Sequence, residues 1–133
     1  MTRVKTVLCV CLLAMLTGCG IDGRWETVSF EPDVARDDFR LADKPNGEDG
    51  FTKAIITLYE DGTYVADVYY GTTVDQSKGQ WQRRKDKLTL TNEDGESFTY
   101  EIDVSGWGSK LEMVRQIKGT EVTLELRRLP LED

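Results

Sequence analysis

The stretch SFTYEIDV, residues 97–104, decides the architecture: Phe98, Tyr100, Ile102 and Val104 alternate with Ser97, Thr99, Glu101 and Asp103. A period of two gives a strand with one buried and one wet face, where a helix would need a period of 3.6. Outward from this stretch the pattern recurs. Glu121 to Arg128 turns Val122, Leu124 and Leu126 inward and Glu121, Thr123 and Glu125 outward, and Thr63 to Tyr70 places Tyr64, Ala66, Val68 and Tyr70 on one side. Lys87 to Thr91 offers Leu88 and Leu90, Lys110 to Ile117 offers Leu111 and Met113, and Lys78 to Arg83 offers Trp81. Phe51 to Tyr59 is less regular, because the Ile55-Ile56 pair leaves its inward register open, and Arg24 to Phe30 makes an eighth run.

Glycine-bearing turns, Glu60-Asp61-Gly62, Asn92-Glu93-Asp94-Gly95 and Lys118-Gly119, join most neighbours as hairpins require. Glu-Asp-Gly also occurs at 48–50, yet the spacing fits no EF-hand, so turn chemistry accounts for these acids better than calcium does. The chain is therefore expected to be all-β. Eight short antiparallel strands must hide their edges, most simply as an up-and-down barrel, with a sandwich of two four-stranded sheets as the rival.

The start of the chain reads differently. Arg3 and Lys5 precede the apolar run Val7 to Leu16, too short to span a bilayer and arranged like a secretory signal. Leu16-Thr17-Gly18-Cys19 resembles the bacterial lipobox, which implies cleavage before Cys19 and a diacylglyceryl group on its sulfur; the alternative is a plain secretory signal with an incidental cysteine. Cys9 and Cys11 fall in the segment to be removed, so Cys19 would remain alone and no internal disulfide is expected. The expected organisation is a signal peptide at 1–18, a lipidated cysteine with a short tether at 19–23, and a barrel domain at 24–133. Two or more acyl chains on Cys19 would hold the protein on a membrane without a transmembrane helix. Gly20 stands where an aspartate would resemble an inner-membrane retention signal, which points to the cell envelope and, in a cell with two membranes, to the outer one facing the periplasm.

Loss of residues 1–18 removes two basic residues and leaves fifteen against twenty-four acidic ones, a formal charge of −9. Nucleic acid is an unsuitable partner for such a domain, since phosphate binding needs clustered lysine and arginine. The one basic cluster, Arg83-Arg84-Lys85-Asp86-Lys87, reads as a solvated turn. With no histidine, no thiol free of lipid and no Gly-x-Ser-x-Gly, the usual catalytic bases and nucleophiles cannot be assembled, and His or Cys metal sites are excluded. Neither enzyme activity nor a cofactor is expected.

Gly23-Arg24-Trp25 and the late basic residue Arg128 resemble the lipocalin-like barrels of bacterial lipoproteins, where G-x-W opens the first strand. The resemblance implies that Trp25 packs across the closed end beneath Arg128, and that the long loop from Glu31 to Gly50 folds over the mouth with Phe39 and Leu41 as its apolar patch; the alternative for that stretch is a flexible acidic loop. Only five residues would then separate the first strand from the lipid, a reach of roughly 17 Å, so the closed end must face the bilayer. The connections at 60–62, 84–86 and 105–109 would lie there, with Trp107 among the headgroups, while 31–50, 71–77, 92–96 and 118–120 would lie at the mouth.

An interior of this size is either filled or holds one small ligand. Tyr70, Trp81, Tyr100 and Arg115, all at inward positions, are the candidate lining for a small apolar or amphipathic molecule. The alternative is a solid core whose mouth, with seven carboxylates against three basic residues between 31 and 50, engages a cationic protein as an inhibitor would.

Overall fold

A computed structural model of the chain describes residues 19–36, 38–41 and 50–130. The expected signal segment, the side chain of Cys19, and residues 37, 42–49 and 131–133 lie outside the described residues. Eight strands form among them: β1 (Gly23–Glu31), β2 (Phe51–Leu58), β3 (Thr63–Tyr70), β4 (Thr73–Arg84), β5 (Lys87–Asn92), β6 (Ser97–Ser105), β7 (Lys110–Ile117) and β8 (Thr120–Leu129). Each pairs antiparallel with its sequence neighbour, and β1 pairs with β8, so the sheet closes into a barrel and the sandwich is excluded.

The alternation predicts the inside correctly along β3, β5, β7 and β8, where Tyr64, Ala66, Val68, Tyr70, Leu88, Leu90, Leu111, Met113, Val122, Leu124 and Leu126 are all buried. In β1 and β2 bulges interrupt the period, between Thr27 and Ser29 and between Phe51 and Lys53. Each bulge inserts a residue and flips the faces beyond it. Trp25, Thr27 and Phe30 therefore share the interior, as do Phe51, Ala54, Ile56 and Leu58. Of the ambiguous pair, Ile56 faces inward.

One predicted mouth loop is a strand. The connection expected at 71–77 shrinks to Gly71-Thr72, and β4 begins at Thr73 in full register with β3, from Tyr70 opposite Thr73 to Thr63 opposite Gln80. The interior positions of this half-strand are Asp75 and Ser77, so no hydrophobic alternation marks it. At Gly79, β4 starts pairing with β5 while still paired with β3. A Cβ there would run into the Thr91 carbonyl oxygen, so only glycine admits so close an approach.

The segment expected as a tether is folded against the closed end. Cys19–Ile21 is a 3-10 turn, Ile21 is 1% exposed, and β1 begins at Gly23. The Trp25 indole is fully buried, and its N–H donates to the Ile21 carbonyl at 2.9 Å. Arg128 lies over that indole, Cζ 4.3 Å from the ring centroid. Its guanidinium donates to the carbonyls of Gly108 at 2.8 Å, Asp22 at 2.6 Å and Gly20. Gly23 adopts φ 131° with its α-carbon against Arg128, where a side chain would meet both backbone strain and the guanidinium. The physical reason for the departure is that a single turn of 3-10 helix leaves its carbonyls unpaired, and two strong donors sit directly above them.

Candidate ligand site beneath the mouth strap

At the opposite end the chain leaves β1, makes a 3-10 turn at Asp33–Ala35, and runs across the mouth as a strap. Phe39 and Leu41 are both fully buried, so they are built into the top of the core. Phe39 meets Phe30 and Phe51 edge-on at centroid distances of 5.2 and 4.8 Å, and Phe51 reaches Tyr70 at 6.4 Å. Such edge-to-face clusters satisfy the positive edge of one ring with the negative face of another. Polar contacts pin the strap's ends. Arg36 exchanges hydrogen bonds with Phe51 at 2.9 Å through its backbone carbonyl and its guanidinium, and Lys118 pairs with Asp38 at 3.1 Å.

Between the two buried apolar residues lies Arg40. Its guanidinium stacks over Tyr70, Cζ 5.1 Å from the centroid, and donates to the Phe39 carbonyl at 2.6 Å. Its backbone carbonyl accepts from Arg115 at 3.1 Å, so the β7 side chain ties the strap to the wall. Arg115 also stacks over Phe98 at 4.7 Å and Tyr100 at 5.7 Å. The Tyr100 hydroxyl, in a side chain that is 0% exposed, has no acceptor for its proton, and neither does the buried Nε of Arg40. Burial pushes the Tyr100 phenol well above its ordinary 10.0; the Arg115 charge and an Arg115 N–H directed at the phenol oxygen oppose that shift, and the nearby phenols of Tyr70 and Tyr64 add to it. Below, the Tyr64 hydroxyl meets Ser77 at 3.0 Å. Tyrosine hydroxyls and two guanidiniums therefore gather at a level where the wall also carries Asp75 and Ser77 on β4.

Of the four predicted lining residues, Tyr70, Tyr100 and Arg115 are brought together in this upper interior. Trp81 is not among them. Its side chain belongs to the far end, where the indole N–H donates to the Tyr59 carbonyl at 2.8 Å and the backbone N–H to Gly62 in the β2–β3 turn. Inward parity placed it in the barrel but said nothing of its height, and β4 has descended nearly its whole length by residue 81. Arg40 is the residue that sequence reasoning missed. Its signal was present: a basic side chain flanked by the two apolar residues proposed as the lid.

A family model described as a lipocalin-like domain matches residues 21–111, from the buried Ile21 to the first interior residue of β7. No curated protein matches the chain.

Proposed function

The chain belongs to the lipocalin-like domain family, and from that premise we propose that it is a membrane-anchored lipoprotein of the cell envelope that takes a small apolar or amphipathic molecule into the upper barrel. Lipocalin-like domains are in general binding proteins rather than enzymes. One observation carries the binding reading: the wholly buried Tyr100 hydroxyl, with no acceptor for its proton, under the Arg115 guanidinium at the end where the strap crosses. A buried polar group left unpaired is costly, so a fold that keeps one is completed by something that pairs it.

The anchor reading rests on Leu16-Thr17-Gly18-Cys19, and the clamp on Gly20 and Asp22 supports its orientation. With those carbonyls held by Arg128, almost no slack separates Cys19 from the closed end, so a lipid on that sulfur would bring the closed end to the bilayer. Trp107, wholly exposed on the β6–β7 turn at the same end, suits the headgroup layer.

Native mass spectrometry of protein extracted from its own host's membranes tests both halves. A retained small molecule together with a diacylglyceryl mass on Cys19 is expected. A bare polypeptide that also fails to take up the neutral probe 1-aminoanthracene would end the binding reading, and a Cys19→Ser chain that still sediments with membranes would end the anchor.

A further inference from the structure

We propose that the ligand carries an oxyanion head group, held beneath the strap by Arg40, Arg115 and Tyr100. The proposal rests on the upper barrel being a ligand site, and deepens that reading by naming what enters.

Charge pairing supplies the argument. The chain has 24 acidic residues for 17 basic ones, and on the outer surface the pairs are plain: Arg36 with Asp33, Lys53 and Arg127 with Glu26, Lys87 with Glu101, Lys118 with Asp38. Arg40 and Arg115 depart from this. Among the described residues neither meets a carboxylate; both lie instead on the faces of interior aromatic rings. Ring faces compensate part of a guanidinium's lost hydration but accept no hydrogen bond in the plane of its N–H groups. In so acidic a chain, two partly buried cations that meet no carboxylate among the described residues suit an anion from outside.

The third group fixes the chemistry. Guanidinium groups only donate, and the Tyr100 hydroxyl still has its donor free. The acceptors shown for the two guanidiniums are the strap carbonyls of Phe39 and Arg40, and among the described residues none takes the phenol proton. A carboxylate or phosphate brings several oxygen lone pairs and the negative charge together, whereas an alcohol brings one oxygen and no charge, and an amine would be repelled. The apolar body of such a ligand would have to part the interior side chains of β7 and β8, Met113, Val122 and Leu124, which are packed to 0% exposure.

The full chain, stripped of copurifying lipid on a hydrophobic resin, is titrated calorimetrically at neutral pH with dodecanoate, dodecyl phosphate and 1-dodecanol, each below its micelle concentration. At least one of the two anions is expected to bind about tenfold or more tightly than the alcohol, as a charge-assisted hydrogen bond implies. Which anion leads tells a carboxylate ligand from a phosphate one. Arg40→Gln, Arg115→Gln and Tyr100→Phe should each lower the anion-to-alcohol ratio severalfold. Tyr100→Phe removes only the hydroxyl and keeps the buried ring, and therefore tests the site with little change to the packing. Lys87→Gln, on the outer surface, should keep the ratio. Equal binding of dodecanoate, dodecyl phosphate and dodecanol, or a preference that survives Arg40→Gln and Arg115→Gln together, overturns the proposal and leaves the ligand reading standing. No binding of any amphiphile overturns both.

Discussion

Replacing Arg128 by alanine should remove the clamp of the closed end at a cost that can be worked from its contacts. The guanidinium makes hydrogen bonds to three carbonyls and one stacking contact to Trp25. A hydrogen bond from a charged donor contributes about 1.5–3 kcal/mol, and at this partly wet end about 1 kcal/mol each is the safer figure. The cation–π contact adds about 0.5–1 kcal/mol at an exposed site. Arg128→Ala should therefore lose about 3–4 kcal/mol, a large share of the 5–15 kcal/mol typical of a domain, and lower Tm by roughly 10–15 °C. Urea unfolding followed by tryptophan emission reads the loss directly. Arg128→Lys keeps the charge but has no planar fork to span the carbonyls of Gly20, Asp22 and Gly108, so it should recover less than half. A loss below about 1 kcal/mol in the alanine variant, or full recovery by lysine, would refute the clamp as a fork of directed hydrogen bonds.

Gly79→Ala pushes a methyl into the Thr91 backbone where β4 joins β3 to β5, and should cost about 3 kcal/mol or more in the same assay, because strands cannot yield as a side chain can. The Tyr100 phenol gives a pH prediction. Its folded pKa is raised above the unfolded 10.0, so beyond that pH the unfolded chain holds fewer protons than the native one, and stability falls as pH climbs toward the folded value. Urea midpoints of Tyr100→Phe should decline less steeply above about pH 10 than those of the parent; parallel decline would refute the buried phenol. Trp107→Ala should leave the urea midpoint unchanged, since the indole is wholly exposed, yet blue-shifted emission on adding vesicles to the lipidated protein should vanish with it.

The eight-strand barrel was legible because six of its runs repeat one simple period, and because Gly23, Trp25 and Arg128 carry a local chemistry that survives translation into sequence. The clamp on Gly20 and Asp22 was not legible, since it consists of backbone carbonyls, which every residue possesses. Nor could parity give height: Trp81 and Tyr70 are both interior-facing, but a barrel's two ends look alike to an alternating pattern. The bulges in β1 and β2 show a third limit, for one inserted residue reverses the faces beyond it without leaving a mark in composition.

The half-strand from Thr73 to Ser77 reads as a loop in the sequence for a reason that bears on the site itself. Alternation reveals a strand only where the interior is apolar, and here the interior positions are Asp75 and Ser77, with Ser77 bonded to the Tyr64 hydroxyl. The wall beside Tyr64 and Tyr70 is thus short of apolar groups at the level where the barrel must be closed from above. The strap supplies what that wall lacks: Phe39 and Leu41 bring the missing apolar surface, and Arg40 brings a cation to the phenols. An interior that is apolar along β8, polar along β4 and at Arg115 of β7, and sealed by a segment outside the sheet has unlike sides at one level. A molecule with two unlike ends satisfies both sides at once, which neither a hydrocarbon nor a sugar would do.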